Sequence, residues 1–92
     1  MAEDIETRRK RLLHRSRYRG FKEADLLIGG FADGALPSMT VIELDEFEAL
    51  IAHNDYDIFN WVQGKATPPA EVTGPVFAQL RQFNIAKLIR GE

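Results

Sequence analysis

The sequence predicts an all-α protein, a compact single-domain five-helix bundle that spans residues 1–92. Apolar residues recur at helical spacing in several segments, whereas no segment alternates apolar and polar residues over the length of a strand. A chain of 92 residues with 45% hydrophobic residues can bury one small core but not two. We expect residues 1–4 and 89–92 to be flexible ends of this domain.

Two helices are predicted on either side of Gly20, which breaks the chain between them. Residues 4–18 form the first helix, with a narrow apolar stripe and many basic side chains. Residues 21–32 form the second, in which residues 29–30 are both glycine and either weaken the helix or allow close packing. The core-facing stripe of this second helix consists of Ala24, Leu27, Ile28 and Phe31.

A capping box predicts the start of the third helix. Thr40 and Glu43 have the spacing at which each side chain bonds the other residue's backbone N–H. We expect the acidic side chains of this helix to face water. They are Asp45, Glu46 and Glu48.

Two helices complete the predicted bundle. Asp55 is predicted to cap a short, largely buried helix at 56–63, which Gly64 ends. Trp61 in this helix is predicted to pack in the core. After a proline-rich stretch, the fifth helix is predicted at about 74–88.

Charge is distributed asymmetrically along the chain. Residues 8–22 contain basic but no acidic side chains, residues 23–64 contain acidic but no basic ones, and the net charge is −2. This pattern gives a dipole that can steer a partner, and the acidic middle argues against nucleic acid as a partner.

Several kinds of site are excluded or unsupported by the sequence. The chain has no cysteine, and neither histidine has neighbours at metal-ligand spacing, so we expect no metal site. No catalytic triad or nucleotide-binding motif is recognisable, so we expect a binding protein without catalytic residues rather than an enzyme.

Without an apolar run of about 20 residues, we expect no membrane insertion. The acidic N-terminus resembles neither a secretory signal nor a mitochondrial transit peptide. We therefore expect the chain in the cytoplasm of a bacterium, or in the mitochondrial matrix if the chain is a processed form.

Two sequence blocks carry a family resemblance. The first is Arg19-Gly20-x-x-Glu23, followed by Asp25, and the second is Asp-Tyr-Asp-Ile-Phe-Asn-Trp at residues 55–61. Together with the capping box before the second block, they resemble the succinate dehydrogenase assembly factors, the small flavinylation factors of bacteria and mitochondria. The similarity covers roughly residues 8–88.

The resemblance implies a function and a site. It implies binding to the flavoprotein subunit of succinate dehydrogenase, and also of fumarate reductase, with promotion of covalent FAD attachment to that subunit. It implies no cofactor in this chain and a free monomer. The implied motif is Arg19, Gly20 and Glu23, accompanied by Asp25. In this hypothesis Gly20 allows close approach, Arg19 offers a planar donor fork to the partner and Glu23 offers an acceptor.

Residues beside the motif are candidate partner contacts, and a structural interpretation also stays open. The candidate contacts are Arg15, Arg17, Tyr18 and Phe21. In the structural interpretation, Gly20 merely separates two helices and Glu23 stabilises the start of the second one through its dipole.

An alternative function would use the basic first helix. Residues 8–19 could bind nucleic acid or an acidic protein surface, and some members of the resembled family have been labelled antitoxins. A steep salt dependence of binding would distinguish contacts with phosphates from contacts with a protein partner.

Overall fold

The computed structural model describes residues 3–90, without the side chains of 87–90, and contains five helices that form one all-α bundle, as predicted. Helix α1 is Ile5–Ser16, and α2 runs over residues 22–35. Helices α3, α4 and α5 are Val41–Ile51, Asp55–Gln63 and Pro75–Arg90. The expected flexibility of 1–4 and 89–92 stays a prediction, since residues 1, 2, 91 and 92 lie outside the described part.

Helix α2 continues beyond residue 32, its predicted end, to Ala35. It contains a π-helical turn and packs closely against the end of α1. It begins as Lys22–Ala24, passes through the π-helical turn Asp25–Gly29 and continues as the α-helix Gly30–Ala35. A Cβ atom at Gly29 would lie 3.3 Å from the Ser16 carbonyl oxygen at the end of α1. The glycine pair therefore allows close packing rather than ending the helix, the second of the two predicted alternatives.

The third helix begins at the predicted capping box. The Thr40 hydroxyl accepts a hydrogen bond from the Glu43 backbone N–H, and the Glu43 carboxylate accepts one from the Thr40 N–H. These bonds also hold the pKa of Glu43 below its ordinary value, chiefly through the Thr40 backbone N–H. The box satisfies backbone donors that the first helical turn leaves unpaired.

The fourth helix has a different N-cap from the one predicted. Asn54 is the cap, because its side-chain oxygen accepts a hydrogen bond of 2.9 Å from the Tyr56 backbone N–H. Asp55 is the first residue of α4, and its carboxylate bonds a different part of the chain, described below. Gly64 ends the helix as predicted, at φ 78° in the left-handed conformation.

The fifth helix begins at Pro75, where a missing backbone N–H costs nothing. The prolines at 68–69 do not open an α-helix, and only the 3-10 turn Ala70–Val72 follows them. Glu46 of α3 accepts a hydrogen bond of 2.6 Å from the Val76 N–H. A Cβ atom at Gly74 would lie 2.6 Å from the same carboxylate oxygen, so a larger residue here would displace the Glu46 carboxylate from the Val76 N–H.

One hydrophobic core joins all five helices. Helix α3 packs between α1 and α5, and α5 also packs along α4. Phe47 of α3 is fully buried and lies 6.0 Å from Phe31 of α2, measured between ring centroids. The predicted stripe of α2 is buried throughout. Further large buried side chains are Leu12, Leu44, Leu50, Ile58, Val76 and Leu80.

Of the three acids of α3, Asp45 is exposed as the sequence predicts, whereas Glu46 and Glu48 are partly buried. Basic side chains of α1 lie beside Asp45 and Glu48. Arg8 bonds Asp45 at 2.7 Å and Glu48 at 2.9 Å, and Arg11 bonds Glu48 at 3.0 Å. These bonds, with Arg11 the larger contributor, hold the pKa of Glu48 below its ordinary value. The charge asymmetry of the sequence is therefore partly neutralised inside the fold.

Between residues 3 and 90, no helix combines the length and apolar character required to span a bilayer. The same residues contain no cluster of three or more His, Asp or Glu side chains arranged to bind a metal ion.

Replacing Trp61 tests its contribution to the core. Its side chain is buried, and its ring lies 5.2 Å from that of His53 in an edge-on contact. We expect Trp61→Ala to lower the free energy of unfolding by about 3–5 kcal/mol, because it removes a large buried aromatic group. Urea denaturation measures this, with the exposed Ile42→Ala as the apolar control, expected within about 0.5 kcal/mol of wild type. A Trp61→Ala variant as stable as the control would contradict the packing.

Acid should weaken the contact between α1 and α3. Because the pKa of Glu48 is lowered in the folded state, its stabilising contribution is complete above the unfolded pKa and is lost as the pH falls through the folded value. We therefore expect the melting temperature to fall below about pH 4.3, the ordinary pKa of glutamate. Glu48→Gln should show a smaller fall over the same range. Parallel curves for the two proteins would argue against this contribution.

Candidate functional site

The Arg-Gly-x-x-Glu motif lies at the bend between α1 and α2. Arg17 and Phe21 have extended backbones, and between them Tyr18 has φ 55°, in the left-handed region. Gly20 has no positive φ, so the chain does not need glycine here for its backbone conformation. The need for glycine comes instead from a neighbouring side chain.

The Arg19 guanidinium joins the ends of three helices. Its Nε donates to Asp55 Oδ1 at 2.6 Å, and its Nη2 lies 2.5 Å from the same oxygen. Its Nη1 donates to the Arg15 carbonyl of α1 at 2.9 Å, and Nη2 donates to the Ile51 carbonyl of α3 at 2.8 Å. The side chain is only 10% exposed. Arg19 thus satisfies carbonyls that helix C-termini leave without partners.

Gly20 is held by the same carboxylate. Its backbone N–H donates to Asp55 Oδ2 at 2.6 Å. A Cβ atom at Gly20 would lie 3.0 Å from that oxygen, so any larger residue would crowd it. Asp25 holds the same segment from the other side by accepting a hydrogen bond from the Arg19 backbone N–H.

Phe21 lies within an aromatic cluster rather than on an open surface. Its ring stacks on Tyr56 at 4.3 Å between centroids and meets Phe59 edge-on at 5.4 Å. Phe21 is partly buried, whereas Tyr56 is 60% exposed. The cluster fixes the start of α2 against α4.

Glu23 is the motif residue that faces solvent. It lies in the first turn of α2, is exposed and makes no hydrogen bond or ion pair with any residue of the described chain. Leu26, one turn further along α2, is 51% exposed, and Tyr18 before the motif is 79% exposed. An unpaired carboxylate beside exposed apolar side chains can accept hydrogen bonds from a partner.

The other candidate contacts are partly occupied within the chain. Arg17 pairs with Asp33 at 2.5 Å, and Arg15 lies 3.7 Å from Glu48. Both arginine side chains are nearly half exposed. Tyr18 packs on His14 at 5.5 Å between ring centroids.

The structure shows bonds of Arg19 that the sequence does not predict. Within this chain its donor fork bonds Asp55 and two backbone carbonyls, and its contact with a partner stays a prediction. The residue that sequence reasoning missed is Asp55, which was interpreted as a helix cap. Its only sequence signal is that it opens the second block of the family resemblance. The two resembling blocks are therefore in direct contact.

A separate small cavity lies between α1 and the end of α2. Its volume is about 160 Å³, below the several hundred Å³ of small-molecule sites, and no motif residue lines it. Its apolar lining is Leu13, Ala32, Leu36 and Pro37.

Comparison with known proteins gives the family. A family model described as the flavinator of succinate dehydrogenase matches residues 10–84. Relatives named mitochondrial succinate dehydrogenase assembly factor 2 include those of Cryptococcus neoformans and Caenorhabditis elegans. The first is 38% identical over 91 residues, which are 96% of this chain and 52% of that protein. The second is 36% identical over 84 residues, 88% of this chain and 71% of that protein.

A shorter match is closer in sequence. The protein of the same name from Candida glabrata is 52% identical over 60 residues, which are 65% of this chain and 39% of that protein. The chain thus spans about half the length of the fungal relatives it matches. The family model itself matches most of the chain and contains both sequence blocks. The protein therefore belongs to the family of succinate dehydrogenase flavinators.

Proposed function

We propose that this protein is an assembly factor that binds the flavoprotein subunit of succinate dehydrogenase and promotes covalent attachment of FAD to it. The observation that carries this proposal is the family match over residues 10–84, which includes the motif and its contact at Asp55. The names of the relatives support the same function. The flavoprotein subunit of fumarate reductase, which the family resemblance also implies, is a second proposed partner.

The proposed contact surface centres on Glu23. This carboxylate is exposed and unpaired within the described chain, so an N–H or guanidinium donor of the partner can bond it without breaking an internal contact. Exposed apolar area is supplied by Tyr18 directly before the motif, by Leu26 one turn after Glu23 and by Tyr56, which stacks on Phe21. Arg19, Gly20 and Asp25 contribute by holding the bend from which Glu23 projects.

The flavin chemistry is proposed to occur on the partner. This chain would act as a non-enzymatic monomer that holds the flavoprotein subunit in a competent arrangement, with no cofactor of its own. The compartment is that of its partner, proposed to be the bacterial cytoplasm. The mitochondrial names of the relatives support the matrix as the alternative.

The alternative function through the basic first helix loses support. Arg8, Arg9 and Arg11 all form ion pairs with acidic residues of the same chain. Contacts with phosphates or with an acidic surface would have to replace these pairs. We therefore do not adopt nucleic-acid binding or an antitoxin role as the proposed function.

Covalent flavin on the partner tests the proposal directly. The flavoprotein subunit is co-expressed with this chain in a host that lacks its own factor, and covalent flavin is read by fluorescence after denaturing electrophoresis. We expect strong fluorescence only when the chain is present. Equal fluorescence with and without it would overturn the proposed function.

Replacing Glu23 separates function from folding. We expect Glu23→Ala to keep the wild-type melting temperature, because the exposed carboxylate makes no bond within the described chain. Its affinity for the flavoprotein subunit should fall about 10-fold, because a partner donor would lose its acceptor. Glu71→Ala, at another exposed glutamate, is the matched control and should behave as wild type. Normal affinity in a folded Glu23→Ala protein would contradict the assignment of this residue.

A further inference from the structure

We propose that Asp55 is a positioning residue for partner binding: it holds the Arg19–Gly20 segment in the conformation that presents Glu23. This inference rests on the proposed function and adds to it a residue outside the Arg-Gly-x-x-Glu motif. Asp55 needs no contact with the partner for this role, since its carboxylate is directed at the chain's own bend.

Both oxygens of the Asp55 carboxylate are used. Oδ1 accepts a hydrogen bond from Arg19 Nε at 2.6 Å and lies 2.5 Å from Arg19 Nη2 in the ion pair, and Oδ2 accepts from the Gly20 N–H at 2.6 Å. The Asp55 side chain is 19% exposed, so water competes little for these oxygens. One carboxylate therefore fixes a side chain and the backbone of the next residue together.

The chemistry of this arrangement selects aspartate. An asparagine has one acceptor oxygen and one NH₂ donor, so it could serve only one of the two faces and would oppose an N–H group at the other. A glutamate would be one methylene longer, so its oxygens would be displaced from the positions at which Oδ1 and Oδ2 bond Arg19 and Gly20.

Glu23 lies between two anchored points of the chain. Gly20, three residues before it, is bonded by Asp55, and Asp25, two residues after it, bonds the Arg19 backbone N–H. Loss of the bond between Asp55 and Gly20 would allow the bend to move, and the position of the Glu23 carboxylate would change with it. Binding must then order the bend again, which lowers affinity without removing any contact atom.

Asp57 provides a matched control for Asp55. It lies two residues further in the same first turn of α4, is exposed and makes no hydrogen bond or ion pair within the described chain. Asp55→Asn and Asp57→Asn remove the same charge from the same helix end, so their effects on the helix dipole are comparable. Only Asp55→Asn breaks the contact with the bend.

The experiment titrates each purified variant against the flavoprotein subunit and measures covalent flavin at low and at saturating concentrations of the factor. We expect Asp55→Asn to bind about 10-fold more weakly and to recover full covalent flavin at saturation. In amide spectra of the labelled protein, the Gly20 resonance should shift because its charge-assisted hydrogen bond is weakened. Asp57→Asn should match wild type in affinity, in covalent flavin and in the position of the Gly20 resonance.

A second variant reaches the same contact from the other side and covers the case in which Asp55→Asn unfolds. Gly20→Ala adds one methyl group at 3.0 Å from Oδ2 and removes no buried group. It should weaken binding to a similar degree, and the two changes combined should cost less than the sum of the single changes.

Three results would overturn the positioning role. These are wild-type affinity in both Asp55→Asn and Gly20→Ala, equal loss of affinity in Asp57→Asn, and loss of covalent flavin that saturation does not restore. If the wild-type chain itself fails to bind the subunit, the proposed function falls together with this inference. Wild-type binding that the variants leave unchanged overturns the positioning role alone.

Discussion

One ion pair, between the Arg19 guanidinium and the Asp55 carboxylate, holds the bundle together where α1, α3 and α4 meet the bend. The guanidinium also bonds the carbonyls of Arg15 and Ile51, so it connects the ends of α1 and α3 to the start of α4. Such carbonyls have no partner within their own helices. Because both charged groups are largely buried, removal of either would leave the other without compensation. The bend between α1 and α2 therefore has a single defined conformation.

The remaining charges of α1 serve its packing on α3. Read along the chain, a basic segment precedes an acidic one, and this order suggests a dipolar molecule. In the fold, Arg8 and Arg11 lie against Asp45 and Glu48, which brings the two segments together. The long-range field that could steer a partner is reduced accordingly. Under the proposed function, recognition then depends more on local groups around Glu23 than on the overall charge distribution.

Local patterns predicted the helices well, and long-range contacts account for what they missed. The capping box at Thr40 is complete within four residues, so sequence alone identifies it. The helical pattern did not predict that α2 extends from residue 32 to Ala35, and the close contact of Gly29 with the end of α1 joins residues distant in the sequence. Asn54 and Asp55 are both good capping residues, and only the donors of Arg19 decide which of them caps the helix. Glu23 is predicted as an acceptor for a partner or as a residue that stabilises the helix start, and in the fold it is exposed in the first turn of α2.

A glycine in a bend often provides both a left-handed backbone and clearance for a neighbouring group, but here two residues provide them. Tyr18 supplies the left-handed residue that turns the chain, whereas Gly20 supplies clearance for a carboxylate. A larger side chain at position 20 therefore disturbs the bonds of Asp55 but leaves the turn itself in place. A chain altered there can keep its core, and cellular proteases act chiefly on unfolded molecules. Under the proposed function, such a protein would accumulate at a normal level while binding the flavoprotein subunit weakly, and abundance measurements alone would not detect the defect.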